Sequence, residues 1–331
     1  MTENLDKKKI IELLTTAPAQ ELYDEADKVR QNNVGDEVHL RGLIEFSNIC
    51  RNDCLYCGLR RSNATIMRYH MSENQIIDTA RQAADIGFKT IVLQSGEDLY
   101  YTSLRLCHII EEIKKLDVAI TLSIGERDES DYRDFRNAGT DRFLMRIETT
   151  DKELYHRLNP GMSWQNRYEC LMTIKELGYE LGSGIMVGLP GQTIESIAED
   201  LLFLQGIEVD MAGIGPFIPH PATPLAKETG GTLELALRTM AIMRLLLTDI
   251  NIPATTAMES LHPQGRIMAL KAGANVVMPN VTEGEYRKFY ELYPGKICVN
   301  DTPIHCRSCI GLKIQSIGRT IGQGQGGHKH L

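Results

Sequence analysis

The sequence lacks the features that would place the protein in a membrane, a secretory pathway or a nucleic-acid complex. It contains no run of about 18 apolar residues, so we expect no transmembrane helix. No long apolar stretch follows the lysines near its start, so we expect no secretory signal and a cytoplasmic location. Its 36 basic and 44 acidic residues give a net charge of −8. This charge argues against a nucleic-acid partner, because phosphate backbones bind to positive surfaces.

The composition that remains is typical of a globular protein with a large core. Hydrophobic residues make up 42% of the chain and charged residues 24%, which excludes a disordered protein. The 331 residues suggest two domains as a first guess. However, α/β barrels of similar length commonly form one domain.

Short apolar runs alternate with amphipathic stretches from residue 35 onward. The runs are rich in β-branched residues and bounded by Gly, Pro or Asp, as buried parallel strands are. In one intervening stretch, Ser72 is a suitable N-cap and Gly87 a suitable helix end. Eight strand–helix repeats predict a complete (β/α)8 TIM-type barrel. The predicted strands are residues 43–48, 89–95, 118–124, 142–148, 181–189, 211–218, 252–258 and 275–280.

The barrel prediction divides the chain into three parts. Residues 1–34 form two N-terminal helices that cap the barrel, and residues 35–295 form the barrel itself. Residues 296–331 form a C-terminal extension, whose glycine-rich tail is expected to be flexible, with two histidines available to metal. Active sites of such barrels lie at the carboxyl ends of the strands, so the residues that follow each strand are the functional candidates.

Six of the eight cysteines form two clusters, which favours metal ligation over disulfides in a cytosolic protein. Cys50, Cys54 and Cys57 follow the first predicted strand with C-x3-C-x2-C spacing. A structural zinc site normally has four protein ligands, and no fourth Cys or His lies close in sequence. A [4Fe–4S] cluster held by three thiolates would leave one iron open. The isolated Cys107 and Cys170 fall in amphipathic stretches and are expected to pack in the core.

This cysteine spacing after the first strand of a barrel resembles the signature of the radical S-adenosylmethionine (SAM) enzymes. Tyr56 stands where that family usually has an aromatic residue. Longer stretches, including IEFSNICRNDCLYCGLRRSN, ELGYELGSGIMVGLPGQT and GIGPFIPHPATPLA, resemble the HydE-type maturases of [FeFe]-hydrogenase over nearly all of residues 35–312. Biotin synthase and methylornithine synthase are more distantly similar. The resemblance implies a [4Fe–4S] cluster on Cys50, Cys54 and Cys57 that binds SAM and cleaves it to a 5′-deoxyadenosyl radical.

The resemblance also implies residues that surround SAM and the substrate. Arg146 lies two positions before Glu148, so both side chains are expected on one face of a strand. An inward arginine needs an anionic partner, which the resemblance takes to be the substrate carboxylate. A surface ion pair remains the alternative for Glu148 and Arg167. The implied SAM-binding residues are Tyr56, Ser95, Gly96, Glu97, Glu148, Arg167 and Tyr290, and the implied substrate residues are Gln94, Thr121, Arg146, Thr255, Thr256, Met278 and Tyr293.

Cys298, Cys306 and Cys309 form the second cluster, with C-x7-C-x2-C spacing. Some HydE-like proteins carry a second iron–sulfur cluster on this spacing, and both [2Fe–2S] and [4Fe–4S] forms remain open. His305 offers a fourth ligand, so zinc is the alternative.

The leading functional hypothesis is therefore an anaerobic radical SAM enzyme that assembles the diiron subsite of the [FeFe]-hydrogenase H-cluster. Its implied substrate is small, sulfur-containing, cysteine-derived and iron-bound. Its implied partners are an electron donor such as ferredoxin or flavodoxin and other hydrogenase maturases, with neither nucleic acid nor membrane. The alternatives are a HydE-like paralogue, an amino-acid mutase similar to methylornithine synthase, and a non-catalytic iron–sulfur or zinc scaffold.

Overall fold

The computed structural model describes residues 5–282, 284–297 and 301–328. Its centre is a six-stranded parallel sheet in which the strands follow one another in chain order. These strands are β2 (Gly42–Ser47), β3 (Thr90–Ser95), β4 (Ala119–Ser123), β5 (Arg142–Leu144), β6 (Glu180–Val187) and β7 (Met211–Pro216). A smaller parallel sheet pairs β1 (Glu37–Leu40) with β8 (Val276–Val277) and β9 (Thr320–Ile321).

Isolated parallel bridges connect β7 to two further extended segments, and the second of these segments pairs with β2. The amide of Leu43 donates to the Pro279 carbonyl at 2.9 Å, and the Val281 amide donates to the Leu43 carbonyl at 2.8 Å. Backbone pairing therefore passes through eight segments, and the predicted (β/α)8 architecture is confirmed. The bridges join Met211 to Asn251, Pro253 to Val276 and Asn280 to Leu43.

Helices lie between the strands along the chain and contact the sheet from outside. The capping of α3 illustrates why they begin where they do: Ser72 accepts from the Gln75 amide, and the Gln75 side chain accepts from the Ser72 amide. The helices are α1 (Lys7–Thr15), α2 (Ala19–Val34), α3 (Glu73–Asp85), α4 (Ser103–Lys114), α5 (Glu129–Ala138), α6 (Lys152–Leu158), α7 (Trp164–Glu176), α8 (Ile194–Gly206), α9 (Leu233–Leu246), α10 (Thr256–Leu261), α11 (Gly265–Lys271), α12 (Tyr286–Phe289) and α13 (Pro303–Gln315).

The hydrophobic core lies between the sheet and this helical layer. Ile91 and Leu122 of the strands and Ile76 of α3 are fully buried in it. Each such side chain contributes roughly 1.5–3 kcal/mol through burial. In the N-terminal region, α1 contacts α8 and α9, and α2 contacts α9. No helix among the described residues combines the length and apolarity needed to span a bilayer.

Several predicted strands are shorter than the apolar pattern indicates, among them the one predicted over 275–280, of which only Val276–Val277 is a strand. The strand predicted over 142–148 ends at Leu144, because the backbone turns away from regular pairing before Glu148, which has a φ of +66°. The strand predicted over 252–258 contributes only single bridges, and α10 starts at Thr256. The β-branched residues near the end of this run favour a strand in sequence, although a helix begins there.

The C-terminal tail, predicted to be flexible, has fixed partners at the amino ends of the strands. The Gln325 carbonyl accepts from Thr90 Oγ1 at 2.7 Å and from Arg142 Nη2 at 3.2 Å. The Gly326 carbonyl accepts from Arg41 Nη2 at 3.1 Å. Gly326 has a φ of +61°, and a Cβ there would collide with the ring of His39. Glycine composition therefore reflects close packing rather than mobility in this segment.

His328, one of the two tail histidines, contacts carboxylates within the fold. Its Nδ1 lies 2.8 Å from Asp210 Oδ1 and its Nε2 lies 3.4 Å from Asp249 Oδ1. These ion pairs hold His328 against the fold. His330 lies outside the described residues.

Candidate active site

A cavity of about 420 Å³ occupies the carboxyl end of the barrel. Glycines at Gly213 and Gly215 of β7 keep one wall free of side chains. The rest of the wall combines thiols, charged groups and aromatic rings from the loops that follow the strands. The cavity is therefore large enough for a small-molecule ligand and is placed where barrel enzymes hold their substrates.

The first cysteine cluster lies on the loop that follows β2. Cys50, Cys54 and Cys57 all line the cavity, and each is partly exposed. Burial raises the pKa of all three thiols, and it raises that of Cys57 to about 12. Without a metal these groups stay protonated near neutral pH, whereas a bound metal stabilises the thiolates.

Neighbouring segments fix this loop firmly. The Leu55 amide donates to the Leu158 carbonyl at 2.8 Å, and Tyr56 Oη donates to Asn159 Oδ1 at 2.7 Å. Among the described residues, no three Cys, His, Asp or Glu side chains surround one ion-sized position. The three thiols line a shared space instead, and this donor set fits a [4Fe–4S] cluster with one iron left for a ligand from the cavity.

The end of β3 lies directly against this loop. A Cβ on Gly96 would collide with the Ile49 carbonyl and would come within 2.8 Å of the Cys50 Cβ. Only glycine permits this approach of β3 to the cysteine loop. The Ser95 hydroxyl donates to the Gly96 carbonyl at 2.6 Å, and both residues line the cavity.

A buried charge network connects β3, β4 and α7 beside the thiols. Glu97 Oε2 lies 3.0 Å from Arg51 Nε, and its Oε1 lies 3.7 Å from Arg167 Nη2. Arg167 Nε lies 2.8 Å from Glu126 Oε1, yet neither atom has an aligned hydrogen bond. Burial acts to lower the pKa of Arg167, but Tyr155 and Glu126 raise it. The predicted Glu97 and Arg167 are thus brought together, with Glu126 as an additional carboxylate.

Glu148 and Arg146 share the inward face of the segment after β5, as predicted. Arg146 Nη2 lies 3.0 Å from Glu148 Oε2 and donates to the Ile185 carbonyl at 2.5 Å. Arg146 Nε and Glu148 Oε2 are buried without an aligned hydrogen bond. The left-handed backbone of Glu148 costs about 1–3 kcal/mol for a residue other than glycine. Strain and unsatisfied polar atoms at one position are typical of a ligand-binding site.

The remaining predicted substrate residues also line the cavity, with one exception. Gln94 Nε2 donates to Tyr290 Oη at 3.2 Å, and the Thr255 hydroxyl is buried without a partner. Thr121 is fully buried but does not line the cavity. It lies two residues before Ser123 on β4, and Ser123, which pairs with Gln94, lines the cavity. Thr256, Met278 and Tyr293 also line the cavity.

Sequence reasoning missed a buried ion pair in the same cavity. Lys296 Nζ lies 2.6 Å from Glu45 Oε1 and donates to the Tyr290 carbonyl at 3.0 Å. Burial raises the pKa of Glu45, while Lys296 acts to lower it. The signal for Glu45 was a lone acidic residue within an apolar strand, whereas Lys296 has no comparable sequence signal.

The second cysteine cluster is only partly described. Cys306 is buried and Cys309 is exposed one turn later on α13, and both reach the edge of the same cavity. Arg287 Nη1 lies 3.9 Å from Cys306 Sγ. His305, the alternative fourth ligand, is exposed and its Nδ1 lies 3.2 Å from Asp301 Oδ1. Cys298 lies outside the described residues.

Comparisons with known proteins identify the family of the chain. A family model described as the radical SAM superfamily matches residues 44–204. The [FeFe] hydrogenase maturase subunit HydE of Thermotoga maritima is 53% identical over 94% of this chain and 89% of its own length. A 3-methylornithine synthase of Methanosarcina acetivorans is 33% identical over 82% of this chain and 77% of its own.

Solved structures give the same fold. A crystal structure of methylornithine synthase (PylB) matches with a TM-score of 0.86 at 26% identity, over 97% of this chain and 95% of its own. The FeFe-hydrogenase maturase HydG from Carboxydothermus hydrogenoformans matches with a TM-score of 0.80 at 19% identity, over 95% of this chain and 75% of its own. At that identity the HydG match supports the fold alone.

Proposed function

This chain belongs to the HydE-type branch of the radical SAM superfamily, and we propose that it cleaves SAM reductively during assembly of the [FeFe]-hydrogenase diiron subsite. The observation that carries the proposal is the gathering of the three thiols, Glu97, Glu148 and Arg167 around one cavity. When bound to the three thiolates, a [4Fe–4S] cluster supplies the electron that converts SAM to methionine and a 5′-deoxyadenosyl radical. The chain's own side chains bind and orient the two small molecules.

The charged pairs of the cavity suit the two ends of an amino acid. A guanidinium binds a carboxylate through two parallel hydrogen bonds, so Arg167 is the group for the SAM carboxylate. Glu148 Oε2 has no aligned hydrogen bond and accepts from the SAM ribose or ammonium group. Tyr56, Ser95, Gly96 and Tyr290 complete this half of the cavity.

Arg146 is the group for the carboxylate of the substrate. It lies beside Glu148 and lines the cavity together with Gln94, Thr255 and Thr256, and its buried Nε has no aligned hydrogen bond. We assign the substrate to a small, cysteine-derived, iron-bound compound because the HydE-type resemblance implies one, and the similar Thermotoga maritima protein is an [FeFe] hydrogenase maturase subunit. The side chains that line the cavity limit side reactions of a carbon radical with solvent.

SAM cleavage provides the direct test. Anaerobic, iron-reconstituted protein with SAM and a reductant is expected to form 5′-deoxyadenosine, and Cys54→Ala is expected to form none. Cys107→Ala is the matched control, because Cys107 is a partly buried cysteine on α4 outside the cavity. Colourless protein without product would support a zinc scaffold and overturn the proposal.

A mutase similar to methylornithine synthase is the second candidate, because the barrel of that enzyme overlays nearly the whole chain. The two candidates differ in substrate. Formation of methylornithine from an isomeric amino acid by the reconstituted protein would support the mutase. Consumption of an iron-bound cysteine compound would support the HydE-type activity.

We further propose that Cys298, Cys306 and Cys309 hold a second iron–sulfur cluster. The position of Cys306 and Cys309 one helical turn apart at the cavity edge supports this assignment. Cys306→Ala is expected to lower the iron and sulfide content while SAM cleavage continues. Zinc in place of iron in the parent protein would contradict it.

A further inference from the structure

The loop that carries the first cysteine cluster is basic, although the chain as a whole is acidic. Residues 49–70 contain four arginines and one aspartate, a net charge of +3, while the other residues of the chain sum to −11. Only Arg60 of these four forms an ion pair with an acidic residue of the same loop, Asp53, at 2.9 Å. A local positive field in a negative protein selects partners of negative charge.

Arg61 is the most available cation of this loop. Its backbone amide donates to the Asn52 carbonyl at 2.8 Å, which fixes Arg61 beside the segment between Cys50 and Cys54. Its side chain is exposed, and no carboxylate of the described residues lies within 4 Å of it. Arg61 therefore presents an unneutralised charge to solvent next to the thiols.

Two other arginines extend this charged surface. Arg51 is about half exposed, with 47% of its side chain accessible, and shares Glu97 with Arg167. Arg68 donates to the carbonyls of Leu59 and Arg60 and contacts no carboxylate within the described residues. Met67 is 64% exposed between them in sequence and adds an apolar contact. We call these four residues of the cysteine loop, Arg51, Arg61, Met67 and Arg68, the arginine face.

We propose that the arginine face docks an acidic one-electron carrier protein. The inference rests on the proposed function, since reductive SAM cleavage consumes one electron: the carrier is oxidised by one electron and the thiol-bound centre is reduced by one. The thiols also line the cavity of about 420 Å³, which is too small to hold a protein. A protein donor therefore approaches the cysteine loop from outside the cavity. At the arginine face, opposite charge accelerates its encounter, while the acidic rest of the chain repels it.

The charge reversal Arg61→Glu tests this surface in the reconstituted full chain, with reduced flavodoxin as the acidic donor and dithionite as a small reductant. Reduction is followed by stopped-flow loss of the visible absorbance, without SAM. At low salt the variant is expected to slow reduction by flavodoxin about tenfold. At high salt the rates of reduction by flavodoxin should become equal in the variant and the parent protein. The rate of reduction by dithionite should be the same in both.

Lys89→Glu is the matched control, because Lys89 is exposed directly before β3, at the opposite end of the barrel. It is expected to leave both rates unchanged. An equal loss in Lys89→Glu, or an unchanged flavodoxin rate in Arg61→Glu, would overturn the docking surface. Because this readout needs no SAM, normal reduction without 5′-deoxyadenosine would contradict the proposed function and leave the docking result valid.

Discussion

Both ends of the barrel bury charged groups, but the partners of these groups differ, although Arg41 Nε at the amino end also lacks an aligned hydrogen bond. At the amino end, Arg142 Nε lies 2.7 Å from Glu180 Oε2, and carbonyls of the C-terminal tail accept from Arg142 and Arg41. At the carboxyl end, Arg146 and Glu148 retain buried atoms without aligned hydrogen bonds beside a cavity of about 420 Å³. One end is closed by its own chain, and the other is open to a ligand.

This difference separates stability from function within one fold. A buried charge with complete partners contributes to the folded state only while the whole network is present. A buried charge without hydrogen-bond partners lowers the stability of the folded state, and a ligand that supplies those partners stabilises the protein when it binds. Substitutions at the amino end should therefore change unfolding, and substitutions at the carboxyl end should change ligand affinity.

The largest expected effect is on unfolding at the amino end. Glu180→Ala leaves Arg142 buried without its carboxylate, and we expect a loss of about 3–5 kcal/mol in the free energy of unfolding. The measurement is the urea midpoint of the metal-free protein. The exposed pair of Glu129 and Arg133, separated by 2.6 Å, is the control, and Glu129→Ala should cost less than about 1 kcal/mol.

Replacing both partners sharpens the same prediction. The double variant Arg142→Met and Glu180→Met removes the two charges together, so it should recover much of the stability that Glu180→Ala loses. A single variant as stable as the parent would mean that the amino end does not depend on its internal pairing, and the comparison of the two ends would fail.

A smaller effect is expected at Glu148, where the backbone has a φ of +66°. Glycine adopts this conformation without strain, so Glu148→Gly should be about 1 kcal/mol more stable than Glu148→Gln. Both variants should bind SAM at least tenfold more weakly, because a charge-assisted hydrogen bond is worth about 1.5–3 kcal/mol. Urea unfolding of the metal-free proteins and SAM binding by the reconstituted proteins measure the two quantities. Equal stability with unchanged SAM affinity would show that the strain at Glu148 serves no ligand.

The sequence predicted the carboxyl end better than the amino end. The cysteine spacing and the strand ends are local features, and parallel strands of a barrel bring their carboxyl ends together. Ser95 and Glu97 at the end of β3 therefore reach the same cavity as Arg146, which follows β5. Thr121 was predicted to line the cavity, but Ser123, two residues later at the end of β4, lines it instead. The apolar run did not reveal where β4 ends.

Contacts between distant parts of the chain explain what the sequence did not reveal. The pairing of Glu45 with Lys296 and of Arg142 with the Gln325 carbonyl depends on three-dimensional closure. Neither contact produces a periodic pattern. The glycines of the tail were interpreted from composition as a flexible segment, whereas Gly326 packs against His39. Composition alone does not distinguish a mobile glycine from a closely packed one.

The smallest effect concerns the tail that closes the amino end. Asp210 accepts a hydrogen bond from His328 and raises its pKa, with Asp249 adding to the increase, while burial opposes it. Because the folded pKa lies above the unfolded value of about 6.5, the stabilisation is complete below that pH and is lost as the pH rises through the folded pKa. Glu180 and Arg142 also face the tail through the His328 amide and the Gln325 carbonyl.

Amide hydrogen exchange of residues 322–328, corrected for the intrinsic rate, should therefore be slower at pH 6 than at pH 8.5. The variant His328→Gln should lose this pH dependence while keeping the hydrogen bonds of the Gln325 and Gly326 carbonyls. SAM cleavage at a fixed pH should be the same in both proteins, since His328 lies at the opposite end of the barrel from the thiols. Loss of cleavage in His328→Gln would show that closure of the amino end is transmitted to the cavity, and the two ends would then act as one unit.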